Sequence, residues 1–440
     1  MIRRWLPIRV LVGSVCLLLA FSVAAHQVKR DHSDAPVQID AATKPLPAFP
    51  ILERVDGDTY TAQLVSLDEA WNFTFETRSK QIILPLGEIS AWGSYLESIE
   101  SPMILLRDGS CLAGDVTAFD QRGLTFASRQ WQPTHLAWDE MLAVLLRPPL
   151  DALARDRWLD RLREATVEQD VLFLANGDEL HCTVLASQPT SEQDIAGDLE
   201  QLTVRVSQAI VQLDRDEVIA IRFRPALSND ARRSVADVWL TFRDGSRINC
   251  SSVNINREAV QLELSGGQVL ESRHGLLRTK LWSQVTEIRP VKSSPIYLSD
   301  LTPARFESIP FWGRTWDYAR DRSVVKGALR HDGRRFQRGI GMHATSSLAY
   351  VLDKKYSRFR AWVGIDETAA SGGSVIFRVY QTRDGSQWEE VFRSPVLTGS
   401  DSLVPVDLDI SECYAITISV DQADGSPVLD RANWIEARLE

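Results

Sequence analysis

Four times the chain runs an apolar segment into Asp-Gly or Asn-Gly and out into a second alternating segment. The segments are ILERVDGDTY from Ile51, MILLRDGSCL from Met103, VLFLANGDEL from Val171 and VWLTFRDGSR from Val238. An Asx-Gly pair supplies the positive φ angles of a tight hairpin turn, and an alternating strand presents one side to a core. Each segment is therefore read as a β-hairpin. The turn glycines Gly57, Gly109, Gly177 and Gly245 are 52, 68 and 68 residues apart (57 to 109, 109 to 177, 177 to 245), which marks a duplicated unit.

Each hairpin is followed by further alternating strands, such as Leu202 to Val206, and by a closing apolar strand. The last three closing strands end in Arg147-Pro148, Arg224-Pro225 and Arg289-Pro290, where proline stops strand pairing. Five residues after each turn glycine stand the small residues Ala62, Gly114, Cys182 and Cys250, as a crowded inward-facing site requires. Cys111, Cys182, Cys250 and Cys413 are too few for a disulfide framework in a chain of 440 residues, and mostly free, buried thiols are expected, with three pairings formally open. The units are placed at 51–98, 99–149, 169–226 and 237–291, and their strand order resembles small five-stranded Sm-like barrels. Basic and aromatic loops of the kind that bind RNA are missing from them, so the expectation is a scaffold. Between the second and third units, residues 150–168 place Leu153, Trp158, Leu159 and Leu162 on one face at helical spacing. They predict an amphipathic helix with Arg155, Asp156, Arg161 and Glu164 on a solvated face.

Arg3, Arg4 and Arg9, an apolar run from Val10, and Val23-Ala24-Ala25 read as a secretory signal peptide over 1–25, or as an anchor if it stays uncleaved. Four prolines in 26–50, without periodicity, make a linker. The formal charge is -10 with no block of like charge, which argues against nucleic acid and anionic membranes as partners.

From Ile296 the composition turns aromatic-rich. Arg338-Gly339-Ile340-Gly341-Met342-His343-Ala344 is the most distinctive stretch, and its paired glycines suggest backbone passing close to another strand. Together with Leu298-Ser299-Asp300-Leu301, Arg320 to Val324, Val363-Gly364-Ile365-Asp366, Gly373 to Val379 and the closing Asp430, Ala432, Asn433 and Trp434, it resembles the NPCBM family of carbohydrate-binding modules, over 296–440. The resemblance implies a galactose-binding-like β-sandwich, or jelly roll. The whole chain is then mainly β: four tandem small β-barrel-like repeats with one intervening helix, followed by that sandwich. Arg431 and Asn433 stand where the family typically has an acid and often a histidine, so no metal site is assigned there.

Sugar recognition needs a flat aromatic face and planar polar groups that make paired hydrogen bonds. The candidate carbohydrate-binding residues are Trp312, Trp316, Tyr318, Arg320, His343 and Trp388, of which His343 sits inside the family signature, where fold maintenance is the stronger expectation. A glycosidase needs two carboxylates in a cleft, and no segment is left over to carry a catalytic domain. The sequence therefore predicts an exported, non-catalytic protein without cofactor. Its C-terminal module binds a glycan or polysaccharide, and its repeats serve as scaffold or contact other envelope proteins. A structural or interaction protein of the cell envelope is the alternative; an accessory or cryptic glycoside hydrolase comes third.

Overall fold

A computed structural model describes residues 50–96, 101–187, 199–225, 238–273, 278–291, 295–310, 313 and 315–440. The expected signal peptide, nearly all of the linker, and Trp312 lie outside the described residues. Cys111, Cys182, Cys250 and Cys413 are free and buried. Among the described residues no helix is long and apolar enough to cross a membrane.

The four turn glycines have φ between +90° and +94°, the conformation that fixes each hairpin. In the first unit the strands Ile51–Arg54, Thr59–Leu67, Asn72–Thr77 and Gln81–Pro85 form an antiparallel meander. A 3-10 turn, Leu86–Glu88, then sends Ile89–Gly93 back to pair with the first strand. The other units repeat this plan. Their first strands, Met103–Leu106, Asp170–Leu174 and Val238–Phe242, pair with the closing strands Met141–Leu145, Val218–Arg222 and Val285–Pro290. In the second unit the second strand breaks at Gly114 into Cys111–Ala113 and Asp115–Phe119.

Closing strands also pair with one another. Ile288 lies opposite Trp92, which joins units four and one, and Val144 lies opposite Ile221, which joins units two and three. Units two and four meet at their hairpin tips. The backbone N–H of Asn249 donates to Ser110 Oγ (3.0 Å), and that of Ala113 donates to Ser246 Oγ (2.9 Å). The units thus run in the spatial order one, four, two, three. The expected discrete barrels give way to shared sheets: strands from all four units belong to one 18-stranded sheet, and no barrel closes among the described residues. One apolar core runs through the four units, from Phe73 and Trp92 through Phe126 and Trp131 to Leu202 and Phe242.

The helix is Ala152–Glu164, capped by Asp151, whose side chain accepts from the N–H of Ala154 (2.7 Å). Leu159 and Leu162 are buried as their spacing requires, and Trp158 meets Phe173 edge-on at 5.5 Å. Its charged face departs from expectation. Arg155 and Asp156 are 2% and 3% exposed, Arg155 bonding Pro149 O at 2.9 Å and Asp156 covered by the C-terminal domain, whereas Arg161 and Glu164 are exposed as expected. Asp156 lies 2.7 Å from Arg330 and 3.5 Å from Arg335, and Asp160 and Glu164 each lie 3.3 Å from Arg322. Spacing by four puts these three acids in one row on the helix.

The C-terminal domain is a sandwich of two antiparallel sheets. One has the order Ala319–Arg320, Gly339–His343, Arg431–Leu439, Arg358–Ile365, Val404–Asp409, with Ile296–Tyr297 also on Arg431–Leu439. The other runs Arg305–Ser308, Ser346–Val351, Ala415–Gln422, Ser374–Thr382, Glu389–Arg393, with Leu397–Thr398 beside Ser374–Thr382. Trp434, Phe359 and Phe377 fill the space between them. A Cβ on Gly341 would stand 2.5 Å from the backbone nitrogen of Val324, so only glycine admits this chain crossing. A three-stranded sheet of Tyr95–Leu96, Arg334–Phe336 and Leu329–His331 ties the sandwich to the first unit.

Candidate functional site

The register of the sandwich separates its two ends. Ser346 pairs with Val420 and His343 with Arg431, so residues 343–346, 366–373 and 424–431 gather at one end. Gln381 pairs with Glu389, which puts the turn 384–388 at the other.

At the first end the indole of Trp316 lies flat on the imidazole of His343, with centroids 4.8 Å apart and planes 5° apart. His343 is buried, whereas Trp316 keeps 37% of its surface exposed. The stack fixes one face of the indole against a rigid partner, which lowers the ordering cost of binding on the rest. Burial, against the bond to Ala344 O and with the charge of Arg431 behind it, holds the pKa of His343 below the ordinary imidazole value. The ring is therefore neutral at pH 7. Its Nδ1 lies 2.8 Å from Ala344 O, so Nδ1–H donates there and Nε2 is left as an acceptor.

Tyr318 and Arg320 lie on the adjoining edge, where Ala319 pairs with Gly341 and Arg320 with Ile340. Tyr318 packs on Phe306 with ring centroids 5.2 Å apart, and the Arg320 guanidinium lies 5.9 Å from the Tyr318 ring centre. These two residues link the edges of the two sheets. Trp388, 46% exposed, stands at the far end of the sandwich. The structure thus brings Trp316, His343, Tyr318 and Arg320 to one region and leaves Trp388 out of it.

Behind the first end lies a buried polar group that the sequence reading had not assembled. Asp366 accepts from Thr368 N–H (3.0 Å) and Thr368 Oγ1–H (2.6 Å) through Oδ1, and from Asn433 Nδ2–H (2.7 Å) through Oδ2. Asp430 Oδ1 accepts from the N–H of Ser374 (2.7 Å). These bonds hold the loops 366–373 and 424–431 beside the stack. The motifs Val363 to Asp366 and Asp430 to Trp434 carried the signal, but not the pairing. Among the described residues no cluster of three or more His, Cys, Asp or Glu side chains is placed to hold a metal ion.

The family model described as NPCBM/NEW2 domain matches residues 294–440. The C-terminal third is an NPCBM/NEW2 domain. Among solved structures, a CBM51 from Clostridium perfringens GH95 in complex with methyl-galactose is similar at 24% identity, with a TM-score of 0.30, covering 33% of this chain and all of that one. CBM51-2 with GlcNAc and INT domains from C. perfringens ZmpB is similar at 22% identity and TM-score 0.30, covering 46% of this chain and 43% of that one. Tandem CBM51 modules of a Streptococcus pneumoniae family 98 glycoside hydrolase are similar at 16% identity and TM-score 0.28, covering 61% and 87%. No curated protein matches. The NPCBM/NEW2 domain begins within a few residues of the boundary read at Ile296, and the Trp316–His343 stack lies inside it.

Proposed function

We propose that the protein is an exported, non-catalytic carbohydrate-binding protein. Its NPCBM/NEW2 domain binds glycan at the end marked by Trp316, and the four units hold that domain away from the linker. The observation that carries this reading is the half-exposed indole of Trp316 stacked on a buried His343, inside a domain of a carbohydrate-binding family. The indole offers the apolar face of a pyranose a flat surface, His343 Nε2 offers an acceptor, and Arg320 a fork of donors at the adjoining edge. Trp312, four residues before Trp316, is proposed as a second ring for the same surface. Trp388, at the opposite end, is proposed only as a separate contact.

A glycan array with the full chain tests the proposal. Binding to at least one neutral glycan is expected, and Trp316→Ala should weaken it at least ten-fold, about 1.4 kcal/mol, while Trp388→Ala leaves it within two-fold. A folded chain that binds no glycan would instead support a structural role in the cell envelope. Hydrolysis of a polysaccharide by the purified chain would reverse the non-catalytic reading.

A further inference from the structure

A concave, aromatic-lined surface lies away from the Trp316 end. A cleft of about 270 Å³ opens where the first and fourth units meet the NPCBM/NEW2 domain. Four rings line it: Trp92 of the first unit and Trp282 of the fourth, both buried, and Phe336 and Trp362 of the domain, both half-buried. The volume sits just below the range of roughly 300–1,000 Å³ typical of drug-sized ligands. It suits one monosaccharide-sized group rather than a chain.

The charge of the lining is specific. Two glutamates are present, and both are committed: Glu53 pairs with Arg438 at 3.0 Å, and Glu436 with Arg289 at 3.0 Å. Arg243 and Arg334 also line the cleft, and neither has a carboxylate within ion-pair distance among the described residues. An acidic chain with a formal charge of -10 thus carries two uncommitted guanidinium groups around an aromatic cleft. The backbone is shaped for this place as well. Glu436 has φ +52° within the strand Arg431–Leu439, opposite a bulge between Arg360 and Trp362. A non-glycine residue in that region is strained. Its N–H is anchored on Arg338 O at 2.9 Å, and its carboxylate meets Arg289 in the cleft lining.

Planar guanidinium forks match a carboxylate through paired hydrogen bonds, and an indole face matches the apolar side of a sugar ring. We propose that this cleft binds the carboxylate-bearing sugar unit of an acidic glycan, a uronic acid, with Arg243 and Arg334 on the carboxylate and Trp362 against the ring. The site stands independently of glycan binding at Trp316.

Isothermal titration of the full chain with D-glucuronic acid, D-glucose and acetate tests it. Glucuronate should bind at least ten-fold more tightly than either glucose or acetate. Arg243→Gln with Arg334→Gln should abolish that preference, and Trp316→Ala should leave it intact. Among the described residues neither arginine has an ion-pair partner, so the double variant is expected to keep its melting temperature. If it does not fold, Trp362→Leu replaces it and must weaken glucuronate at least ten-fold. Glucuronate and acetate binding alike would show a simple anion site, and glucuronate and glucose binding alike would remove the arginines from the recognition. Either result, no measurable glucuronate binding, or a preference that survives the variants overturns the proposal.

Discussion

At the scale of single residues, Asp430 couples the loop end of the sandwich to pH. Its carboxyl group is fully enclosed, and Oδ2 has no partner. Burial, against the Ser374 hydrogen bond and with the Asp424 charge behind it, pushes its pKa up to about 6. In the unfolded chain the same group ionises near pH ~3.9. Between these values the folded state holds the extra proton, so its stabilisation is complete below about pH 4 and is lost as pH rises through about 6. The loss is on the order of 2 kcal/mol. Asp430→Asn cannot ionise, so urea unfolding at pH 4 and pH 7 should show the parent losing about that much more stability than the variant between the two conditions. A variant whose difference from the parent is the same at both pH values would rule this out. Asp430 was legible as a motif position but not as a titrating group, because enclosure depends on the Ser374 strand 56 residues away. The tryptophans teach the same lesson. Trp316 and Trp388 looked alike in the sequence, and only the strand register sends them to opposite ends.

Among the elements, the hairpins were readable because both signals are local: alternation with period two and an Asx-Gly turn. The helix was readable for its apolar face only. Asp156, Asp160 and Glu164 look like a solvated row until Arg322, Arg330 and Arg335 arrive from more than 150 positions along the chain. Burial works against the charge of Asp160, more than Arg322 and Arg163 favour it, so its pKa is raised. Asp156 is the more enclosed acid, and it also accepts from the N–H of Ala328 (2.8 Å). Taking away one partner of a buried ion pair costs about 3–5 kcal/mol, because the other charge stays behind in a dry site. Asp156→Ala should therefore destabilise the chain by about that amount in denaturant unfolding. Glu164→Ala, on the exposed end of the row, should change stability by less than about 1 kcal/mol. Equal effects from the two changes would mean that the row is screened by water along its whole length.

For the whole molecule, the spatial order one, four, two, three follows from a difference at the hairpin tips. The turns of units two and four end in serine, Ser110 and Ser246, whereas those of units one and three end in Asp58 and Asp178. The serines are buried at 1% and 0% exposure, and each receives a backbone N–H from the other unit; the aspartates are exposed. Asp108, at the first position of its turn, finds donors across this contact in Ser265 Oγ–H (3.2 Å) and Gly266 N–H (3.3 Å), but a carboxylate in place of Ser110 or Ser246 would add a buried charge at the last position, so the turns that end in serine face each other and those that end in aspartate face out. The sequence carried this distinction in plain view, yet a repeat is read for what its copies share, and the pairing lies in what they do not. Ser110→Ala with Ser246→Ala leaves two buried N–H groups unsatisfied, each costing about 1–3 kcal/mol. The core runs unbroken through all four units, and the domain is joined to it by Glu53–Arg438 and Arg289–Glu436. Calorimetry of the double variant should therefore show one transition, moved as a whole to lower temperature, while Asp58→Ala with Asp178→Ala leaves it nearly in place. A double serine variant that melts in two steps, with units one and four separating from two and three, would mean that the tip contact alone had made the scaffold cooperative.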